Sequence, residues 1–184
     1  MNRVEPIKDK KVVKEIADYL KEKNRREYMM FMIGVHCGPR VGELVKLRVI
    51  DVRRKEVFAV TGKGNKKIPR VIPKVLRKEI IEYTKGMEPY EYLFPSRNSN
   101  GKHGYITERR AKQIMEGIGE VFGLENFNTH SLRKTYAYTL YIKTNDLVLV
   151  QQALGHKNPS TTIKYLGIDQ AYLIDNLGNI RLYD

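Results

Sequence analysis

The sequence predicts a mainly helical fold with a small three-stranded antiparallel β-sheet. Two observations support this prediction: apolar residues recur at helical spacing through most of the chain, and short β-branched runs are confined to residues 49–72. Because the chain has 184 residues and 41% hydrophobic content, it is expected to form one globular domain with its own core.

The first two helices are predicted before a glycine-proline break. Residues 12–20 carry apolar side chains at positions that share one face of a helix. A second helix is expected from about residue 25 to residue 36. Gly38 and Pro39 interrupt the pattern before helix resumes. Arg40 is therefore expected at a helix junction.

Three antiparallel strands are predicted in the β-branched region, because each run is short and bounded by turn residues. The runs are VIDV at 49–52, VFAV at 57–60 and IPRVI at 68–72. A charged turn at 53–56 separates the first two runs, and Thr61-Gly62-Lys63-Gly64-Asn65 separates the last two.

The rest of the chain is predicted to be helical, apart from a polar loop at 95–104. The predicted helices run from Pro73 to about Tyr83 and near residues 107–122, 131–143, 147–154, 159–165 and 169–177. Proline is favoured at the first position of a helix, which supports the start at Pro73.

The charge balance indicates a polyanionic partner. Lys and Arg number 34 against 21 Asp and Glu, a formal charge of +13, which exceeds that of an ordinary mixed surface. Nucleic acid is favoured over an anionic membrane, since the sequence has no lipidation motif, signal peptide or apolar run of membrane-spanning length. Cys37 is the only cysteine, so no thiol cluster for zinc exists, and a metal-free protein of the cytoplasm is expected.

The positive charge is concentrated in and after the predicted hairpin. Seven basic residues and no acidic residue occur between Gly62 and Lys78. The basic residues are Lys63, Lys66, Lys67, Arg70, Lys74, Arg77 and Lys78. Lys66, Lys67 and Arg70 are predicted to contact DNA. The alternative is a hairpin that only confers solubility.

Five motifs occur in a fixed order and together carry a family resemblance. They are Gly38-Pro39-Arg40-Val41-Gly42-Glu43-Leu44, then Gly62-Lys63-Gly64, then His130-Ser131-Leu132-Arg133, then Leu154-Gly155-His156, and finally Tyr165 nine residues after His156. From about Pro6 to Ile168 the chain resembles the catalytic domain of the tyrosine recombinase, or phage integrase, family. The resemblance implies the fold of that family. It also implies an enzyme that cuts and rejoins DNA strands through a 3′-phosphotyrosyl intermediate, without metal, ATP or cofactor.

The chemistry of a phosphodiester explains the basic members of these motifs. Planar guanidinium groups can donate paired hydrogen bonds to non-bridging oxygens, so Arg40 and Arg133 are candidates for a phosphate clamp. Glu43 is predicted to orient Arg40. His130 lies three residues before Arg133 and shares its helical face.

The resemblance implies the remaining roles. It makes Tyr165 the nucleophile and Lys63 the general acid for the departing 5′ oxygen. It assigns His130 and His156 to proton transfer and hydrogen bonding, and which of the two is the base stays open. A free phenol titrates near pH 10, so a nearby group of cations is expected to help Tyr165 to react.

Two other functions remain open at this point. Residues 147–166 can be interpreted as a helix-turn-helix in a DNA-binding protein without catalysis. A phosphodiesterase that uses water is also possible, although such enzymes typically need metal carboxylates. Tyr165 is one of 12 tyrosines, and an isolated tyrosine is more often a packing residue than a nucleophile.

The expected domain organisation is one catalytic domain over residues 1–184. The family usually carries an additional N-terminal helical domain, and no segment before Arg40 is long enough to encode it. The chain is therefore expected to be an excised catalytic domain or a naturally minimal recombinase. Residues 169–184 are acidic, with an apolar stripe, and are expected to pack on a neighbouring protomer. The expected assembly is a monomer or weak dimer in solution and a tetramer on paired DNA sites.

Overall fold

The structure is a computed structural model that describes residues 4–61, 67–96 and 104–166. Nine helices and one two-stranded sheet occur in these ranges. They are α1 (Lys10–Lys23), α2 (Arg25–Cys37), α3 (Val41–Leu44), α4 (Val49–Val52), β1 (Val57–Thr61), β2 (Lys67–Val71), α5 (Lys74–Tyr83), α6 (Glu108–Val121), α7 (Thr129–Thr144), α8 (Leu147–Leu154) and α9 (Pro159–Leu166). The mainly helical prediction is confirmed. The predicted helix 169–177 lies outside the described residues.

Side-chain caps explain where several helices begin. Asp9, Asn24 and Asn128 precede α1, α2 and α7, and each side chain accepts a backbone N–H of the first turn. Asp146 does the same for α8. These bonds satisfy donors that the helix itself leaves free.

The prediction of a third strand is wrong, because VIDV forms the short helix α4. Val49 and Val52 are buried while Ile50 is 56% exposed, a helical rather than alternating burial pattern. The Asp51 side chain accepts the Arg48 N–H at 2.7 Å and thereby caps the helix start. Among the described residues the sheet therefore contains only β1 and β2, paired antiparallel with Phe58 opposite Arg70.

Helix α2 lies at the centre of the core. Eight of its 13 residues are buried, and it packs against α1, α5 and α7. A smaller apolar cluster forms where α7, α8 and α9 meet, around Ala137, Val150, Leu154 and Leu166. The two clusters place the end of α2, the first turn of α7 and the turn after α8 near one another. No helix in the described part of the chain is long and apolar enough to cross a membrane.

Candidate active site

A cleft of about 780 Å³ lies between β2, the turn after α8 and the start of α3. Its wall includes the cationic side chains of Arg40, Lys67 and Lys157, together with His156. No carboxylate occurs among the described residues that line it. The cleft therefore suits an anion.

Arg40 reaches this cleft from the junction between α2 and α3. Gly38 ends α2 in the left-handed conformation (φ 61°), where a side chain would collide with the ring of Tyr136. Glu43 contacts Arg40 twice: its carboxylate accepts the backbone N–H at 2.7 Å and Nη1 at 3.3 Å. Arg40 keeps 47% of its side chain exposed, whereas Glu43 keeps 12%. The carboxylate thus orients Arg40 and leaves its remaining donors available.

Arg133 lies beneath the cleft on the first turns of α7. Its side chain is 2% exposed. Nη1 donates to the carbonyl of Gly38, and Nη2 donates to the carbonyl of Leu154 at 2.6 Å. Burial, followed by the charge of Arg70, lowers the pKa of Arg133 to about 10. Arg133 therefore joins the loop that carries Arg40 to the turn that carries His156.

His156 follows the left-handed Gly155 (φ 66°), which ends α8 and reverses the chain. Its Nδ1 lies 3.0 Å from the Thr162 hydroxyl on α9. Burial and the charges of nearby arginines lower the pKa of His156 to about 4. The imidazole is consequently neutral at pH 7 and can accept a proton.

Tyr165 on α9 packs between the two histidines. Its ring centroid lies 5.1 Å from that of His130 and 5.4 Å from that of His156, both in edge-to-face geometry. Lys134 Nζ lies 5.4 Å from the centre of the same ring. The hydroxyl of Tyr165 is buried and has no hydrogen-bond partner of good geometry among the described residues.

Two opposing influences act on the Tyr165 phenol. Burial raises its pKa to about 12, and the nearby arginines, Arg133 foremost, act against that rise. The pKa of His130 is lowered, first by partial desolvation and then by Lys134, Arg133 and Arg40. The site therefore pairs a protonated phenol with neutral imidazoles.

The structure brings most of the predicted site residues together. Arg40, Glu43, His130, Arg133, His156 and Tyr165 all lie at this site. Lys63 and Lys66 lie outside the described residues, whereas Lys67 lines the cleft. The prediction that Arg70 contacts DNA needs correction. Its side chain is 1% exposed, because its position on the strand faces the core.

Sequence reasoning missed two contacts in the site. Thr162 bonds to His156, and Lys134 lies over the ring of Tyr165. The spacing of Thr162 three residues before Tyr165 places both on one side of α9, a signal that single-sequence reasoning could have used. The described residues contain no group of three His, Cys, Asp or Glu side chains placed to hold a metal ion.

The order and placement of these residues can be compared with known proteins. The sequence profile of the phage integrase family matches residues 8–171. The chain belongs to the phage integrase family. The family prediction and the predicted tyrosine recombinase catalytic-domain fold are thereby confirmed.

Two curated relatives match nearly the same share of this chain, but different shares of their own length. The chain is 37% identical over 171 residues to the "Probable integrase/recombinase YoeC" of Bacillus subtilis strain 168, covering 92% of this chain and 93% of YoeC. It is 32% identical over 182 residues to a tyrosine recombinase of Pseudothermotoga lettingae, covering 91% of this chain and 62% of that protein.

Among solved structures, the fold matches XerH site-specific recombinase in its post-cleavage complex with a palindromic difH substrate. The TM-score is 0.75 at 23% identity, and the match covers 97% of this chain and 54% of the XerH chain. This likeness shows that the phage integrase and XerH share a fold.

Proposed function

We propose that the chain is a DNA strand transferase that cuts and rejoins double-stranded DNA through a 3′-phosphotyrosyl intermediate on Tyr165. One observation carries the proposal: the Tyr165 ring packs between His130 and His156 of the same chain. The charge of Arg133 also acts on this phenol and opposes the rise in its pKa. A nucleophile, a cation that stabilises charge and a neutral imidazole that can accept a proton are groups suited to attack on a phosphodiester. Membership of the family and the likeness to YoeC support the same conclusion.

Arg40 and Arg133 supply the phosphate clamp in this mechanism. Arg40 is exposed in the cleft and already oriented by Glu43. Each Nη of Arg133 gives one bond to a carbonyl, and a guanidinium has five N–H groups in all. Donors therefore remain for the non-bridging oxygens, whose charge grows as the phosphorus becomes five-coordinate.

The proton of Tyr165 leaves as the phenol attacks. A phenol with a pKa of about 12 lies five pH units above neutrality, so forming free phenolate at pH 7 would cost about 7 kcal/mol. Transfer to His130 or His156 during attack avoids that cost. The bond from Tyr165 Oη to phosphorus forms while the bond from phosphorus to the 5′ oxygen breaks. The reverse step, attack by a 5′ hydroxyl, rejoins the strand.

The departing 5′ oxygen requires a proton, which we assign to Lys63. Lys67 lines the cleft, and Lys63 precedes it by four residues. The assignment rests on the place of Lys63 in the Gly62-Lys63-Gly64 motif. Lys66 and Lys67 are assigned to the DNA backbone beside it.

The proposed DNA chemistry also implies an assembly and a location. The protein is expected to be a monomer or weak dimer when free and a tetramer on paired sites, with residues 169–184 packed on a neighbouring protomer, and to act in the cytoplasm, where its DNA lies. Deletion of residues 169–184 should leave binding to a single site intact and abolish the paired-site complex in a gel-shift assay. A paired-site complex that survives the deletion would exclude this role.

The geometry favours this enzyme over a binding module built on residues 147–166. In a helix-turn-helix protein the turn between α8 and α9 needs no particular chemistry. Here the turn places His156 in contact with the Thr162 hydroxyl. His156 and Arg40 line the same cleft. That arrangement serves catalysis and has no purpose in groove binding.

A nicked suicide substrate tests the proposal, because the cut piece diffuses away and leaves the protein covalently bound. The wild-type chain should give a protein-DNA band that survives denaturant. Tyr165→Phe should bind DNA and give no such band, whereas the exposed control Tyr90→Phe should behave as wild type. Adduct formed by Tyr165→Phe would assign another nucleophile.

A further inference from the structure

Arg70 is a buried cation that the mechanism above does not use. It lies on β2, where burial alternates along the strand, and it faces the core between Ile68 and Ile72. Its side chain is 1% exposed, and no carboxylate of the described residues forms an ion pair with it. Burial of a charge without an ion-pair partner is costly, so an arginine at this position calls for a function.

The guanidinium of Arg70 binds the end of α8. Its Nη1 donates to the carbonyl of Ala153, and the next carbonyl, that of Leu154, accepts from Arg133. The last carbonyls of a helix have no partner within it and carry partial negative charge. Two arginines from different elements therefore hold two successive carbonyls immediately before Gly155 and His156.

β2 also packs directly on the turn that follows. A side chain at Gly155 would collide with Cδ1 of Ile68. The strand that leads from the basic hairpin and the turn that carries His156 are thus in close contact. Ile68 and Arg70 are the residues of β2 that make this contact.

Arg70 also adds charge to the site without reaching the cleft surface. Its Nε and Nη2 are buried and have no hydrogen-bond partner among the described residues. Its charge lowers the pKa of Arg133, His156 and Tyr165. Arg70 therefore acts on these three groups from beneath the cleft surface.

We propose that Arg70 is a positioning residue, which holds the turn from Ala153 to His156 against β2 and so sets His156 relative to the scissile phosphate. The inference rests on the proposed strand-transfer function. Arg70 acts through the turn and does not touch DNA.

The test compares Arg70→Met, Arg70→Lys and the control Val71→Thr, an exposed neighbour on the same strand. Methionine keeps an unbranched apolar stem and removes the charge and the donors, whereas lysine keeps the charge and a single donor nitrogen. Single-turnover cleavage at saturating protein should fall at least 10-fold in Arg70→Met and recover in part in Arg70→Lys. The DNA affinity and its salt dependence should stay within the range of the control, because Arg70 is buried and does not touch DNA. The melting temperature should also stay close to that of the control, because loss of the bond to Ala153 is offset by removal of a buried charge without an ion-pair partner.

Histidine NMR of the DNA-free protein supplies a readout that does not depend on activity. The groups that act on the His156 ring are Arg133, Arg40, Arg70, His130 and the Thr162 hydroxyl. Loss of one cation should raise the pKa of His156 in Arg70→Met, and Arg70→Lys should largely restore it. His36, whose pKa is lowered by burial and Lys143, should not move.

Three results would overturn the inference. Wild-type cleavage by Arg70→Met would show that the turn does not need Arg70. A salt dependence of log K flattened by about one unit would show a direct phosphate contact. A lower melting temperature in both variants, with the His156 pKa unchanged, would show a purely structural role. If the wild-type chain forms no adduct, the proposed function fails instead, and the NMR titration still decides where Arg70 acts.

Discussion

Tyr165→Phe should stabilise the free protein while abolishing the covalent adduct. The Tyr165 hydroxyl is buried and has no hydrogen-bond partner of good geometry among the described residues. Its ring remains packed between two histidines after the substitution. The substitution therefore removes a desolvated hydroxyl together with its electrostatic interaction with Arg133.

The expected gain follows from the cost of that atom. A buried polar group without a partner costs about 1–3 kcal/mol, so the free energy of unfolding should rise by about 1 kcal/mol or more. For a domain of this size the melting temperature should rise by about 2–4 °C for each kcal/mol. Tyr83→Phe is the matched control, since its half-buried hydroxyl donates to the Leu93 carbonyl at 2.8 Å. In that variant the free energy of unfolding should fall by about 1 kcal/mol.

Thermal and urea unfolding of both variants without DNA would measure the two effects. Opposite signs for Tyr165→Phe and Tyr83→Phe are expected. If Tyr165→Phe is destabilised as much as Tyr83→Phe, the Tyr165 hydroxyl is hydrogen-bonded in solution, and Arg133 is the donor within reach. The nucleophile would then be held in place before DNA binds, and the argument from an unpartnered phenol would fail.

Three further predictions concern the residues around the phosphate. Glu43→Gln should slow single-turnover cleavage about 10-fold, the scale of one hydrogen bond to a charged group, and leave DNA affinity unchanged; an unchanged rate would remove Glu43 from the orientation of Arg40. The melting temperature should fall as the pH drops from 6.5 towards 4, because His156 titrates near 4 when folded and the unfolded chain binds the proton first; His156→Gln should reduce that dependence, and an equal slope would contradict the low pKa. Lys66→Gln with Lys67→Gln should flatten the salt dependence of log K by about two units; an unchanged slope would place both side chains away from DNA.

Local signals in the sequence were sufficient to predict most helices. Apolar periodicity gave α1 and α5 to within a few residues, and the predicted range of α8, 147–154, is the observed one. The VIDV segment failed because β-branched residues favour a strand only where one face is buried along its length. Asp51 instead caps a helix start, and Val49 and Val52 then share a buried face.

Contacts across the chain were beyond single-sequence reasoning. The bond from Arg133 to the Gly38 carbonyl joins residues 95 positions apart, and no local pattern predicts it. Arg70 is different, because strand alternation places it on the same face as Ile68 and Ile72. The burial of Arg70 could have been predicted if the alternation of buried and exposed positions along the strand had been given more weight than the charge of the side chain.

The free site has an electrostatic balance that depends on the substrate. Burial, followed by the charges of Arg133, Arg40 and Arg70, lowers the pKa of His156 to about 4, so the imidazole is a weak proton acceptor when no anion is bound. A phosphate in the clamp offsets those charges and should raise the pKa of His156 towards its ordinary value. If His156 is the histidine that accepts the Tyr165 proton, it becomes a better base when the phosphorus is present. In the proposed mechanism the cations of the clamp would then also keep this imidazole a weak base in the empty site.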